Sequence, residues 1–167
     1  YGLGNCASKA DRQSIALLTG ANSGGKTTML ELLGHCTILA HMGLPVPAKS
    51  ARVGRIESLH VLAKAGGTQS AGALEQTLLQ LAQVVSNTDS KLILADELEA
   101  ITEPGAGAKI IAGMLEAAES HAGTCMLLVT HLAPAIIEAA GRELRTDGIE
   151  ARGLDENLEL IVDRTPR

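Results

Sequence analysis

The chain has 167 residues, a formal net charge of −5 and a single aromatic residue, Tyr1. With 46% apolar and 20% charged residues, the composition excludes a disordered chain and predicts one domain with a real core. The negative net charge and the scarcity of aromatic residues argue against a broad nucleic-acid-binding face. No apolar run has the ~20 residues of a membrane helix. The three cysteines are far apart in the chain, which favours reduced thiols and a cytoplasmic location.

Short apolar runs alternate with helical patterns along the chain. The predicted strands are short and apolar, and they fall at 14–19, 53–62 (an edge strand), 91–95, 125–129, 148–151 and 158–162. The predicted helices fall at 27–41, 70–87, 105–119 and 132–140. The first of them is apolar nearly all round, which is typical of a fully buried helix.

Buried strands that alternate with helices predict an α/β fold with a mostly parallel central sheet flanked by helices. No linker or internal repeat interrupts the pattern, so we expect one domain over residues 1–167. Because the chain begins with Tyr1 rather than Met, we also expect it to be a fragment of a longer protein.

A glycine-rich motif, G-x4-G-K-[ST], lies between the first predicted strand and the first helix. Its glycines let backbone N–H groups face phosphates, and the positive end of the helix that follows favours the same anion. Lys26 would reach the terminal phosphates and Thr27 would offer its hydroxyl to Mg²⁺. The predicted nucleotide-binding residues here are Gly20, Ala21, Asn22, Ser23, Gly24, Gly25, Lys26, Thr27 and Thr28.

Two carboxylates follow the strand predicted at 91–95, where α/β sheets commonly bind ligands. Asp96 would hold Mg²⁺ together with Thr27, and Glu97 would orient or deprotonate the attacking water. An ordinary helix N-cap pair is the alternative interpretation. His131, directly after Thr130 and the strand predicted at 125–129, would sense the terminal phosphate; a plain surface or core histidine is the alternative.

These motifs together resemble those of the MutS family, ABC-type ATPases of DNA mismatch repair and related pathways. The phosphate loop of that family usually reads G-P-N-x-G-G-K-S-T, and Asn22, Gly24, Gly25, Lys26 and Thr28 match it. Three further segments resemble its V-P-A segment, its Walker B strand and its A-T-H switch, namely Val46–Ala48, Leu94–Leu98 and Val129–His131.

The resemblance implies a P-loop fold of the ABC-ATPase type, ATP and Mg²⁺ as ligands, and a homodimer that shares its nucleotide sites. Lys26, Glu97 and His131 would be catalytic, and Ser70, at the start of the signature helix, would meet the nucleotide of the partner subunit. Tyr1 would stack on adenine, with a frayed terminus as the alternative. DNA would be bound through domains absent from this chain, and no membrane is implied.

Two segments depart from the family pattern. Ser70 and Glu75 match the S-T-F-x-x-E signature, but the Thr-Phe pair is replaced, and the run after Glu97 lacks the usual G-[RA]-G-T. The departures favour a divergent branch, for which we consider an archaeal origin, in repair or recombination. Alternatives are the ATPase head of another ABC-type DNA-maintenance protein and a nucleotide-dependent dimerisation module with little hydrolysis.

Overall fold

The computed structural model describes residues 14–20, 25–62, 71–98, 104–154 and 160–163. In chain order its elements are β1 (Ile15–Gly20), α1 (Lys26–His41), β2 (Ser58–Leu62), α2 (Ala71–Ser86), β3 (Lys91–Asp96), α3 (Pro104–Glu119), β4 (Thr124–Val129), α4 (Ala133–Ala140), β5 (Arg145–Leu154) and β6 (Leu160–Asp163). Each predicted element is present, and the bounds agree within three residues except that the strand predicted at 53–62 begins only at Ser58. Among the described helices, none combines the length and the apolar character needed to cross a membrane.

The strands form one sheet in the order β2-β3-β4-β1-β5-β6. Neighbours from β2 to β5 pair in parallel, and β6 pairs antiparallel with β5. The α/β fold with a mostly parallel sheet is therefore confirmed. Because parallel strands end at the same edge, the residues after β3, β4 and β1 lie side by side.

Alternate residues of the central strands pack on opposite faces of the sheet. On one face, Leu17 belongs to a core cluster that includes Leu81 of α2, Leu115 of α3 and Ile136 of α4. On the other face, Leu18 belongs to a cluster that includes Leu30 of α1. Both faces are covered by helices, which is why the central strands are continuous apolar runs.

The prediction that α1 is fully buried was wrong. Its buried residues, Lys26, Leu30, Gly34 and Thr37, recur every three or four positions and form a single face. Leu32 and Ile38 on the rest of the helix are 45% and 48% exposed. The apolar composition of α1 does not show how much of the helix is covered. In the described structure the sheet covers only one of its faces.

Candidate functional site

The glycine that ends β1 is required by a close backbone approach. Gly20 has φ +129°, and a Cβ atom there would lie 2.0 Å from the carbonyl oxygen of Ile149. Ile149 is the partner of Gly20 in the parallel pairing of β5 with β1. Any side chain would displace β5, so only glycine fits where the glycine-rich loop begins.

A buried lysine opens the helix that follows this loop. Gly25 precedes α1 in a left-handed conformation, with φ 82°, and its carbonyl accepts the first helical hydrogen bond from Met29 N at 2.9 Å. Lys26 is only 3% exposed, and its Nζ donates to the carbonyl oxygen of Gly20 at 2.8 Å. The ammonium therefore lies across the base of the loop, beside the positive end of α1, where an anion is favoured.

Thr27 joins α1 to the end of β3. Its hydroxyl donates to Oδ2 of Asp96 at 2.8 Å, although 69 residues separate the two positions. The other carboxylate oxygen of Asp96, Oδ1, is buried and has no hydrogen-bond partner among the described residues. A buried carboxylate oxygen beside a hydroxyl is the oxygen donor set that a hard divalent cation prefers, so the residues present fit Mg²⁺.

Glu97 and His131 form the second pair at this edge. Nε2 of His131 lies 2.9 Å from Oε1 of Glu97, and both side chains remain partly exposed. Glu97 has φ +46°, in the left-handed region, and its N–H donates to the carbonyl oxygen of Val129 at 3.0 Å. The carboxylate is therefore fixed by its backbone and by an imidazole, while it can still reach solvent.

Thr130 is the buried residue that shapes the turn carrying His131. Its N–H donates to the carbonyl oxygen of Leu18 at 3.0 Å, and its Oγ1 accepts from Leu132 N at 3.0 Å. The first bond ties the end of β4 to β1, and the second closes a short turn around His131. The sequence drew attention to Thr130 and His131, and the structure adds the two hydrogen bonds by which Thr130 holds the turn.

The structure places five of the predicted site residues at the same edge of the sheet, namely Lys26, Thr27, Asp96, Glu97 and His131. Thr28 is exposed in the first turn of α1, and no side-chain hydrogen bond links it to the others among the described residues. The remaining predicted site residues lie outside the described residues: Tyr1, Ala21, Asn22, Ser23, Gly24 and Ser70. The role of Ile149 was not visible in the sequence, because the pairing of β5 with β1 leaves no local signal.

Comparison with protein families gives a match over most of the chain. Residues 16–160 match the family described as MutS domain V. Domain V is the ATPase domain of MutS proteins.

Comparison with individual proteins gives relatives of the same family. The chain is 48% identical over 160 residues to "DNA-binding protein MutS2" of Pyrococcus furiosus, covering 94% of the chain and 28% of that protein. It is 33% identical over 159 residues to "Endonuclease MutS2" of Thermus thermophilus, covering 90% of the chain and 20% of the relative. A protein of the same name from Listeria monocytogenes is 37% identical over 124 residues, which cover 69% of the chain and 15% of the relative. The chain thus spans under a third of the length of these proteins.

Proposed function

This chain belongs to the MutS family, whose domain V it matches over residues 16–160, and on that premise we propose that it binds and hydrolyses ATP with Mg²⁺. The observation that carries the proposal is the 2.8 Å hydrogen bond between Thr27 and Asp96, beside a buried carboxylate oxygen without a partner. A plain helix cap would not bring a hydroxyl and a carboxylate together from two elements 69 residues apart.

The phosphates of ATP would be bound at the start of α1. Lys26 supplies a cation at the base of the loop, and the first turn of α1 supplies backbone N–H groups that have no intrahelical partner. The P-loop fold that we propose is supported by this loop between β1 and α1 and by the acidic end of β3.

Thr27 and Asp96 are the residues that would hold Mg²⁺. When bound, the ion would neutralise phosphate charge and help to orient the terminal phosphate. Asp96 contributes a negative charge at this point, and Thr27 keeps the carboxylate turned towards α1 through Oδ2. Oδ1 of Asp96, which is buried without a hydrogen-bond partner among the described residues, would be available to the cation.

Hydrolysis would use a base near the terminal phosphate, and we assign this role to Glu97, which directly follows Asp96 at the end of β3. It would accept a proton from the attacking water, and His131 would hold the carboxylate in its working orientation. This pair favours an ATPase over a dimerisation module that merely binds nucleotide, because such a module needs no oriented base.

We extend the proposal to the full-length protein by way of its relatives. Two of them bear the names "DNA-binding protein MutS2" and "Endonuclease MutS2", and we propose that ATP turnover here drives a cytoplasmic, DNA-binding homodimer. DNA contacts would come from parts outside this chain. Ser70 would complete the nucleotide site of the partner subunit, and Tyr1 would stack on adenine.

Titration with a fluorescent ATP analogue tests the nucleotide site. We expect Lys26→Ala to weaken binding at least ~10-fold, since a charge-assisted contact of ~1.5–3 kcal/mol is lost. Lys109→Ala is the matched control, because Lys109 is an exposed lysine on α3, and it should bind as wild type does. Equal affinity of wild type and Lys26→Ala would overturn the assignment of the loop.

A further inference from the structure

A second lysine is buried in the described structure, far from the nucleotide loop. Lys91, the first residue of β3, is 0% exposed. Its Nζ donates to the carbonyl oxygens of Val84 at 2.7 Å and Val85 at 3.4 Å, and also to that of Asn87. An ammonium has three N–H donors, and here three carbonyl groups accept from it.

These three carbonyls belong to the carboxyl end of α2 and the residue just after it. The last carbonyls of a helix have no intrahelical partner and carry the negative end of the helix dipole. The last turn of α2 contains no basic residue. Lys91 therefore supplies, from the next strand, both the hydrogen bonds and the positive charge that this helix end requires.

The position of α2 connects this contact to the site. It is the crossover between the parallel strands β2 and β3, so it runs antiparallel to them. Its carboxyl end lies beside the start of β3, and its amino end lies at the edge where β3 ends in Asp96. The helix has 16 residues, and at 1.5 Å per residue it spans ~24 Å between the two ends.

Two sets of contacts hold α2 in place, namely its core packing and the hydrogen bonds from Lys91. Leu81 and Val85 of α2 are buried in the core cluster that also contains Leu115 of α3 and Ile93 of β3. This packing limits how α2 can rotate, whereas the bonds from Lys91 limit how its end can slide along β3. Together these contacts restrain the position of α2 relative to β3.

We propose that Lys91 is a positioning residue of the ATPase site: by holding the carboxyl end of α2, it sets the amino end of that helix for catalysis. The inference rests on the proposed function, in which Ser70, directly before Ala71 in the chain, meets the nucleotide of a second copy. Lys91 is fully buried under the carboxyl end of α2, so it acts on turnover through that helix.

The test compares Lys91→Met with wild type in the full-length protein. Methionine is similar in length but donates no hydrogen bond and has no charge. We expect kcat to fall ~10-fold while the affinity for ATP stays within ~2-fold, because Lys26 and the loop are untouched. Deuterium uptake should rise in α2 but not in β1 or β4. Lys109→Met, on an exposed lysine, should match wild type in all three measurements.

A double-mutant cycle with Ser70→Ala separates positioning from general stability. If Lys91 acts through Ser70, the double variant should turn over nearly as fast as Ser70→Ala alone. Multiplied losses, wild-type kcat in Lys91→Met, or uptake raised equally in every strand would each overturn the inference.

A milder variant covers the case in which Lys91→Met does not fold. Lys91→Gln keeps two N–H donors without the charge and should lose less turnover than Lys91→Met; if neither variant folds, the positioning role is rejected. Absence of ATP hydrolysis in wild type would reject the proposed function itself. Hydrolysis in wild type with equal kcat in Lys91→Met would reject this inference alone.

Discussion

The carboxylate of Glu97 and the imidazole of His131 meet at 2.9 Å, although 34 residues separate them in the chain. The register of the sheet explains this contact. Asp96 pairs with Val129 where β3 and β4 run in parallel, so the residues that follow both strands emerge side by side. The left-handed conformation of Glu97 costs a non-glycine residue ~1–2 kcal/mol. The hydrogen bond from Glu97 N to the carbonyl oxygen of Val129 helps to offset this cost.

Replacing Glu97 by Gln should lower kcat by ~100-fold or more, since the amide cannot accept the proton of water. The affinity for ATP should persist, because Lys26 and Thr27 are unchanged. His131→Ala should lower kcat less, by roughly 10-fold, because it releases the carboxylate without removing it. Phosphate release in steady state and ATP titration measure the two quantities.

His121→Ala is the matched control for the imidazole. The imidazole of His121 contacts only its local neighbours Ser120 and Ala117 among the described hydrogen bonds, at the opposite edge of the sheet. It should hydrolyse ATP as wild type does. Wild-type turnover in Glu97→Gln would remove Glu97 from the role of base.

Asp96→Asn tests the cation site. The amide oxygen can still accept from Thr27, so the fold should persist, but the negative charge is gone. We expect the Mg²⁺ concentration for half-maximal ATPase activity to rise ~10-fold or more, which corresponds to ~1.4 kcal/mol. Asp89→Asn, an exposed carboxylate before β3, should leave the Mg²⁺ titration unchanged. A titration of Asp96→Asn that overlays wild type would contradict the assignment.

The edge of the sheet at which the site residues lie could be anticipated from the sequence. Motifs after three buried strands predict residues that converge at one edge, and the structure adds the pairing of Thr27 with Asp96 and of Glu97 with His131. The contacts that support the site were not visible. A lysine at the start of an apolar strand gives no sign that it is buried under a helix end, as Lys91 is. The pattern of α1 likewise shows its apolar content but not which face the sheet covers.

Cys125 offers a test of burial that is independent of catalysis. It packs against the core cluster on the α1 face of the sheet, and burial raises the pKa of its thiol. Less thiolate is then present at any given pH, so alkylation by iodoacetamide at pH 8 should be severalfold slower than in urea-unfolded protein. Replacing Cys6 and Cys36 by Ala isolates the signal, and equal rates in folded and unfolded protein would contradict the packing.

Gly20→Ala separates the structural requirement at the end of β1 from phosphate binding. The new Cβ would lie 2.0 Å from the carbonyl oxygen of Ile149, in a backbone with φ +129°. We expect a loss of ~3 kcal/mol or more in the free energy of unfolding, because β5 must move as well as the strained residue.

Two other glycines separate the backbone penalty of a positive φ from the clash with Ile149. Gly43 has φ +72° and open space around its Cβ position, so Gly43→Ala carries only the backbone penalty of ~1–2 kcal/mol. Gly148, in β5, has open space and no positive φ, and Gly148→Ala should change stability little. In urea unfolding, Gly20→Ala should therefore be the least stable of the three variants, Gly43→Ala intermediate and Gly148→Ala the most stable. If Gly20→Ala is as stable as Gly43→Ala, the contact with Ile149 imposes no constraint, and the glycine is needed for its φ alone.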